Sequence, residues 1–500
     1  MNYIAEKLEK TKKFQDYIIA LNKKNSQIRV SGLSDVGKVQ FSYCTKEATN
    51  KPICIVTYNE MQAKKIIKDL EYFTTNIKYF PKREIASYDF FAESKDLPYE
   101  RIEVLNKIKE NKAKIVVTTI EAIMQKMIAK EDLYKNSIYL KIGDTYSLEK
   151  LKQKLIFLGY ERCDLVESKG QFSVRGGIID IGINDKEGVR IEFWGDDIDS
   201  IRLFKLSSQR STDMLNEYFI YPAHEFLLLD ETENIINKIE NYVENIELKN
   251  DYLTNNSSLN LDSKFKNKYL EKIEENLNED IELIKSGDYI SKIDKYFNSF
   301  YEKQSIFLDY LNENFIILFD EMSKINQRIE NITKENNQLI KNLIEKSRVV
   351  PESILNISNF KLILGKNQVV FLEKQDIIKD LGKNRNNEFI FPYRDINFYK
   401  TEVDLLTSEL LEMLENKKTV IILGGNEANV KKICSLLTDK NIPHKYVQKL
   451  DEAVEKFKEV IVSLGALEKG FECYDASLVV ISSEEFFSNT RNKKKIKQSI

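Results

Sequence analysis

The 500-residue sequence has little glycine, proline and histidine, with 17, 7 and 2 residues respectively. So few glycines and prolines exclude collagen-like, proline-rich and turn-dense all-β folds. The two histidines, His224 and His444, lie far apart and offer little material for histidine catalysis or a histidine metal site. We therefore predict no catalytic residues and no metal site, and we expect His224 to be a surface or structural residue.

Other absences narrow the class of protein further. The five cysteines are scattered with no close pair, which argues against a disulfide framework or a zinc site. No stretch approaches the ~20 apolar residues of a membrane span, and residues 1–9 lack the apolar core of a signal peptide. The 76 basic and 79 acidic residues give a net charge of -3, so any contact with nucleic acid must be local. We predict a soluble, cytoplasmic protein without a membrane partner.

At about 150 residues per domain, the length of the chain predicts three or four domains. The pattern of apolar runs predicts that several of them are α/β units. From Asn25 to Ala129, short apolar runs alternate with helix-length segments, which is typical of a parallel sheet with crossover helices. Glycine-punctuated strands between Tyr139 and Arg210 predict a β-rich α+β insert. The βα rhythm returns after Pro351 and predicts a second α/β domain.

A partial phosphate-binding loop follows the first predicted strand, in the sequence Gly32-Leu33-Ser34-Asp35-Val36-Gly37-Lys38-Val39. A working loop needs Ser or Thr after the lysine to hold magnesium, and Val39 has only methyl groups there. Asp35 would also repel a phosphate. Asp320 and Glu321 follow an apolar run and fit the position of a Walker B motif, although acids at strand ends are also common as helix caps. We predict a degenerate nucleotide site, no cofactor and no enzymatic activity for this chain.

The predicted architecture is an α/β multidomain chain with five parts. Residues 1–125 and 213–347 form two segments of a degenerate P-loop (RecA-like) lobe, and residues 126–212 form the β-rich insert. Residues 348–487 form the second α/β domain, and residues 488–500 form a basic linker.

Two arginines, Arg162 and Arg175, lie in the glycine-rich part of the insert, and arginine is a favoured interface residue. From spacing alone, a structural salt bridge between Arg175 and Asp180 is the safer interpretation.

Several motifs resemble those of the bacterial transcription-repair coupling factors, the Mfd family. They are Gly170-x-Phe172-x-x-Arg175-Gly176-Gly177-Ile178-x-Asp180, Arg190-Ile191-Glu192-Phe193-x-Gly195-Asp196, Ser208-Gln209-Arg210-Ser211, Ile85-Ala86-Ser87-Tyr88-Asp89, Tyr221-Pro222-Ala223-His224-Glu225-Phe226 and Gly465 through Phe471. The resemblance spans nearly the whole chain. It implies an amino-terminal module similar to the damage-binding protein UvrB, followed by a family-specific domain.

The resemblance also implies a function. The insert would recruit the excision-repair protein UvrA, with binding residues Arg162, Phe172, Arg175, Gly176 and Gly177. Ser173 stands where UvrB has a further arginine. Only residues 90–97 follow Asp89 before Pro98, which leaves no room for the lesion-gripping hairpin of UvrB. In the family, domains that bind RNA polymerase and translocate along double-stranded DNA with ATP and magnesium follow this module.

Two other functions stay open at this point. The first is an active P-loop ATPase or helicase lobe acting on DNA, which Lys38 and Asp320 motivate. The second is direct binding of damaged DNA through a UvrB-like surface and a local basic strip such as residues 493–495.

Overall fold

The architecture rests on three large β-sheets, seen in a computed structural model of the chain. It describes residues 2–23, 26–83, 96–225, 227, 232–248, 263–286, 296–346, 367–374, 387–396, 403–450 and 458–486. The predicted α/β multidomain class is confirmed. The predicted basic linker, residues 488–500, lies outside the described residues. Residues 84–95 also lie outside them, and they include the position where a UvrB-type hairpin would be inserted.

The first sheet has seven strands, all parallel. In order across the sheet they are β17 (Glu388–Ile390), β1 (Gln27–Ser31), β16 (Gln368–Leu372), β15 (Ile316–Asp320), β2 (Ile53–Thr57), β4 (Ile115–Thr119) and β3 (Ile77–Phe80). Its helices are α1 (Tyr3–Glu9), α2 (Lys12–Leu21), α3 (Asp35–Thr49), α4 (Glu60–Leu70), α5 (Asp96–Lys109), α6 (Ile120–Met124) and α7 (Lys130–Lys135). The strands β2, β4 and β15 are buried along their whole length, as expected for a parallel sheet covered on both faces.

Two strands of this sheet come from residues that the sequence pattern assigned to the second α/β domain. Strand β16 pairs in parallel with both β1 and β15, and β17 pairs with the outer side of β1. This corrects the predicted boundary after residue 347, because the first lobe continues to residue 390. The apolar run of β16 predicts a buried strand, but it does not specify which of two parallel sheets the strand joins.

The insert is a six-stranded sheet joined to the lobe by a two-stranded ribbon. The ribbon pairs β6 (Ile138–Lys141) with β13 (Glu217–Ile220). In order, the sheet contains β12 (Ser211–Leu215), β11 (Asp197–Lys205), β10 (Glu187–Trp194), β9 (Ile178–Gly182), β8 (Gln171–Arg175) and β7 (Glu161–Arg162). Helix α8 (Leu148–Phe157) places Leu151 and Leu155 in the core with one face of the sheet.

These strands also move the predicted limits of the insert, residues 126–212. Strand β5 (Met127–Ile128) pairs with β14 (Gln304–Ser305), which lies in the helix-rich segment of the lobe. The insert therefore extends from about residue 138 to residue 220. The helix-rich segment contains α9 (Thr232–Leu248), α10 (Ser263–Ser286), α11 (Phe297–Phe300), α12 (Phe307–Tyr310) and α13 (Met322–Glu345).

The second α/β domain contains a mixed six-stranded sheet. In order, its strands are β18 (Tyr393–Asp395), β22 (Phe471–Cys473), β23 (Leu478–Ser482), β19 (Thr419–Leu423), β21 (Val460–Ser463) and β20 (His444–Val447), with helices α14 (Val403–Glu415), α15 (Glu427–Asp439) and α16 (Ser483–Phe486). Val36 and Phe41 of α3 share one hydrophobic core with Ile461 and Val480 of this domain. The second domain thus packs directly against the helix that follows the phosphate-type loop.

None of the helices in the described ranges combines the length and apolar character needed to cross a bilayer.

Candidate functional site

A tight hairpin turn presents Arg175 at the end of β8. Arg175 pairs with Ile178 across β8 and β9, so Gly176 and Gly177 are the two turn residues. Gly176 has φ +59° and Gly177 has no positive φ, which is the pattern of a type II′ turn. A Cβ on Gly177 would lie 2.8 Å from the Phe193 carbonyl oxygen. The two glycines are therefore needed for the turn and for its close packing on β10.

The Arg175 side chain is exposed and is not paired with Asp180. Asp180 instead accepts two hydrogen bonds from Arg190, at 2.7 and 2.8 Å, across the β9–β10 pairing. Within the described ranges, Arg175 donates a single hydrogen bond, of 3.3 Å, to the Asp164 carbonyl. The alternative of an Arg175–Asp180 salt bridge is therefore wrong, and the Arg175 guanidinium faces solvent.

The other predicted binding residues divide into one exposed and one buried. Arg162 is exposed at the edge strand β7, two residues of chain from the loop that carries Asp164. Phe172 is fully buried in the core, so its ring cannot touch a partner in this structure. Its carbonyl accepts the Cys163 amide, which fixes β7 beside β8. Phe172 is thus corrected from a contact residue to a packing residue.

Among the residues that the structure describes, none covers one half of the sheet face that carries Arg175. Side chains alternate between faces along a strand, and Val189, Ile191 and Phe193 of β10 enter the core. Trp194 is on the opposite face and is 84% exposed. We call the uncovered half the open face; its residues are Arg175, Ile178, Glu192, Trp194, Arg202 and Met214.

The open face is continuous across the strands. The Phe193 amide donates to the Gly177 carbonyl at 2.8 Å, which places Trp194 beside the Arg175 turn. Arg202 contacts Glu192 at 3.4 Å and pairs with Met214 across β11 and β12. The other half of this face is closed by a small cluster of Cys163, Val166, Phe204 and Leu206.

Trp194 and Met214 of the open face were not predicted from the sequence to be surface residues. A signal was present for Trp194, the single tryptophan, because the alternation of Val189, Ile191 and Phe193 puts residue 194 out of phase with the core. Met214 gives no such signal, because its strand is exposed on both sides.

The phosphate-type loop is folded as the first turn of a helix. Helix α3 begins at Asp35, and the Ser34 side chain caps it by accepting the Gly37 amide at 3.0 Å. The Lys38 amide donates to the Ser34 carbonyl at 2.9 Å. The Gly37 and Lys38 amides are therefore both bonded within the first turn of the helix and its cap.

The Lys38 side chain is paired inside the protein. Its ammonium is 2.7 Å from Asp320 and also contacts Glu321, and Thr57 donates to Asp320 at 2.8 Å. Burial alone would lower the pKa of Lys38, but the two carboxylates raise it above its usual value. The structure therefore brings the predicted Walker-type residues together, as a buried ion cluster.

Glu321 is fixed in that cluster by its backbone as well as by its carboxylate. It has φ +60°, and its amide donates to the Leu372 carbonyl at 2.9 Å. Its carboxylate accepts the Lys374 amide at 2.8 Å. Val39 is 2% exposed and lies in the core shared with the second domain. The position where a magnesium hydroxyl ligand would be expected is thus a packing position.

His224 and Glu225 join the insert to the lobe. His224 packs against Gly159 and lies 5.3 Å from the Tyr99 ring, and burial lowers its pKa to about 4. Glu225 forms a buried ion pair with Arg101 of α5. The motif that contains them is structural, as expected for His224. In the ranges that the structure describes, no cluster of histidine, cysteine and acidic residues is arranged to hold a metal.

Comparison with known proteins points to the insert. Residues 138–226 match the UvrB interaction domain family. The whole chain is similar to the transcription-repair-coupling factor of Bacillus subtilis (strain 168), with 28% identity over 505 residues, covering 100% of this chain and 42% of the relative. That of Staphylococcus epidermidis (strain ATCC 12228 / FDA PCI 1200) is 29% identical over 512 residues, covering 100% and 41%. That of Staphylococcus aureus (strain NCTC 8325 / PS 47) is 26% identical over 499 residues, covering 99% and 41%.

The resemblance inferred from the sequence motifs is therefore confirmed. The chain spans about two-fifths of the length of the curated relatives it matches.

Proposed function

We propose that this chain is the UvrA-recruiting part of a transcription-repair coupling factor, and that it directs nucleotide excision repair to lesions where RNA polymerase has stalled. The observation that carries the proposal is the open face, which presents Arg175 and Trp194 within residues 138–226. Exposed arginine and tryptophan side chains are the residues most often found at the centre of protein interfaces.

The charge and position of the open face support this choice. Arg175 has no carboxylate partner in the described part of the chain, so its charge is available to an acidic group of UvrA. Arg162 is exposed two residues before Asp164, whose carbonyl accepts the hydrogen bond from Arg175. Gly176 and Gly177 contribute by shaping the turn rather than by contacting the partner themselves.

We propose that this chain does not hydrolyse ATP. The degenerate loop, the paired Lys38 and the buried Val39 all support this proposal over the alternative of an active P-loop ATPase. Binding of RNA polymerase and ATP-driven translocation along double-stranded DNA, with magnesium, would belong to regions that the longer relatives have beyond the matched part. We place the protein in the cytoplasm with its proposed partners.

The test is binding of purified UvrA to the immobilised chain by interferometry. We expect Arg175→Glu to abolish binding and Arg162→Ala to weaken it. Arg210→Glu is the matched control, because Arg210 is exposed in the turn between β11 and β12, at the opposite end of β11 from Trp194 and the Arg175 turn. Equal binding by wild type and Arg175→Glu, or equal loss in the Arg210→Glu control, would contradict the proposed role of the open face.

A further inference from the structure

A segment of the second α/β domain lies across the start of α3. A Cβ built on Gly37 would be 2.7 Å from the Tyr393 ring, so this ring occupies the space directly beside the loop glycine. Gly32 has φ +81°, and its Cβ would be 2.6 Å from the Phe391 carbonyl oxygen. Both glycines of the phosphate-type motif are therefore in contact with residues 391–393 rather than facing an open cradle.

Hydrogen bonds attach this segment to the loop along its length. The Phe391 amide donates to the Ser31 carbonyl and the Tyr393 amide donates to the Gly32 carbonyl, each at 2.9 Å. The Tyr393 hydroxyl donates to the Gln40 side chain of α3 at 2.8 Å. The contact thus involves backbone and side chain on both partners.

Charged groups complete the contact at its solvent side. The Lys374 ammonium lies 3.1 Å from Asp395 and 3.7 Å from Asp35. Asp35 is the carboxylate that we expected to repel a phosphate. In the structure it faces a lysine that also holds the Tyr393 segment, while Lys38 behind it is paired with Asp320 and Glu321.

The segment is anchored in the second domain. Tyr393 begins β18, pairs with Cys473 of β22, and its ring lies 5.6 Å from the Phe471 ring. Asp69 of α4 accepts the Glu468 amide at 2.7 Å, and Lys13 of α2 forms an ion pair with Asp475 at 2.8 Å. The second domain therefore contacts α2, α3 and α4 on the sides of the loop.

We propose that the second α/β domain is a permanent internal occupant of the former phosphate site, with Tyr393 as the blocking residue. The domain holds the start of α3 in the way that a bound nucleotide holds an active loop. Loss of the magnesium hydroxyl at Val39 is then not the only reason for inactivity. Restoring that hydroxyl leaves the site blocked.

The test combines two positions in the full chain. Binding of a fluorescent ADP analogue with Mg²⁺ is measured for Val39→Thr, Tyr393→Ala and the double variant. We expect no binding by either single variant and measurable binding by the double variant. Binding by Val39→Thr alone would overturn the proposal, and so would a folded double variant that binds nothing. If Tyr393→Ala does not fold, Tyr393→Val removes the ring while keeping a strand-forming residue.

Hydrogen exchange gives a second readout that needs no ligand. Amides of residues 31–41 should exchange at least about tenfold faster in Tyr393→Ala, since the opening of this region becomes easier. Tyr446→Ala is the matched control, because it removes an exposed tyrosine from the same domain. Unchanged exchange in Tyr393→Ala, or the same increase in Tyr446→Ala, would overturn the proposal. UvrA binding by these variants reports separately on the open face.

Discussion

The start of α3 and the open face each carry a basic residue typical of binding sites, but in opposite surroundings. Lys38 is 4% exposed and contacts two carboxylates, whereas Arg175 is exposed and donates one hydrogen bond to a carbonyl. A buried, paired charge must lose its partners before it can bind a ligand, and that loss is costly. A solvated charge loses little. The surroundings of the two residues therefore decide which one is available for function, and the motif alone does not.

The largest effect should follow from breaking the buried cluster. Lys38→Ala leaves Asp320 and Glu321 buried without their cation, so we expect the free energy of unfolding to fall by about 3–5 kcal/mol. Lys64→Ala is the matched control, because Lys64 forms an exposed ion pair with Glu60, and such pairs contribute roughly 0–1 kcal/mol. Urea unfolding followed by circular dichroism measures both. Similar losses in the two variants would show that the cluster is not structural.

The stability of the protein should depend on pH through His224, which joins the insert to the lobe. Burial lowers the pKa of His224 to about 4 from its ordinary 6.5, so the unfolded chain binds this proton more readily than the folded protein. The contribution of neutral His224 to the free energy of unfolding is complete above pH 6.5. As the pH falls toward 4, the free energy of unfolding decreases by up to about 3 kcal/mol, at 1.36 kcal/mol per pH unit.

His224→Gln removes this titration, so its stability should fall less steeply than that of the wild type between pH 6.5 and 4. Thermal unfolding at several pH values measures the difference. If stability depends on pH equally steeply in the two proteins, the contact between the insert and the lobe stays folded around a charged histidine.

The contrast between these regions shows what the sequence could predict. Buried strands such as β2 and β15 follow from uninterrupted apolar runs, and the phosphate-type loop follows from its glycines and lysine. The sequence does not predict which arginine pairs with Asp180, because Arg175 and Arg190 are both near it in sequence. Only the strand register selects Arg190. The Tyr393 contact joins residues more than 350 positions apart, which no local pattern records.

A smaller change in stability and in Trp194 fluorescence should distinguish alanine substitutions at the two turn glycines, Gly176 and Gly177. Gly177→Ala places a methyl group against the Phe193 carbonyl, so we expect a loss of about 1–3 kcal/mol and a displaced Trp194. Because Trp194 is the single tryptophan, its fluorescence reports that displacement directly. Gly176→Ala strains the turn but meets no atom within 4 Å, so its emission should match the wild type. An emission shift in Gly176→Ala alone would reverse this assignment.

The smallest effect on stability should come from the residue with the largest expected effect on binding. Arg175→Ala removes one solvent-exposed hydrogen bond, so the free energy of unfolding should change by no more than about 0.5 kcal/mol. If Arg175 is central to the interface, the same variant should weaken UvrA binding by about 2 kcal/mol, or roughly 30-fold. Urea unfolding and interferometry on the same preparation measure both quantities. A variant that loses stability and binding together would place Arg175 in the same structural class as Lys38, because the loss of binding would then follow from unfolding of the turn.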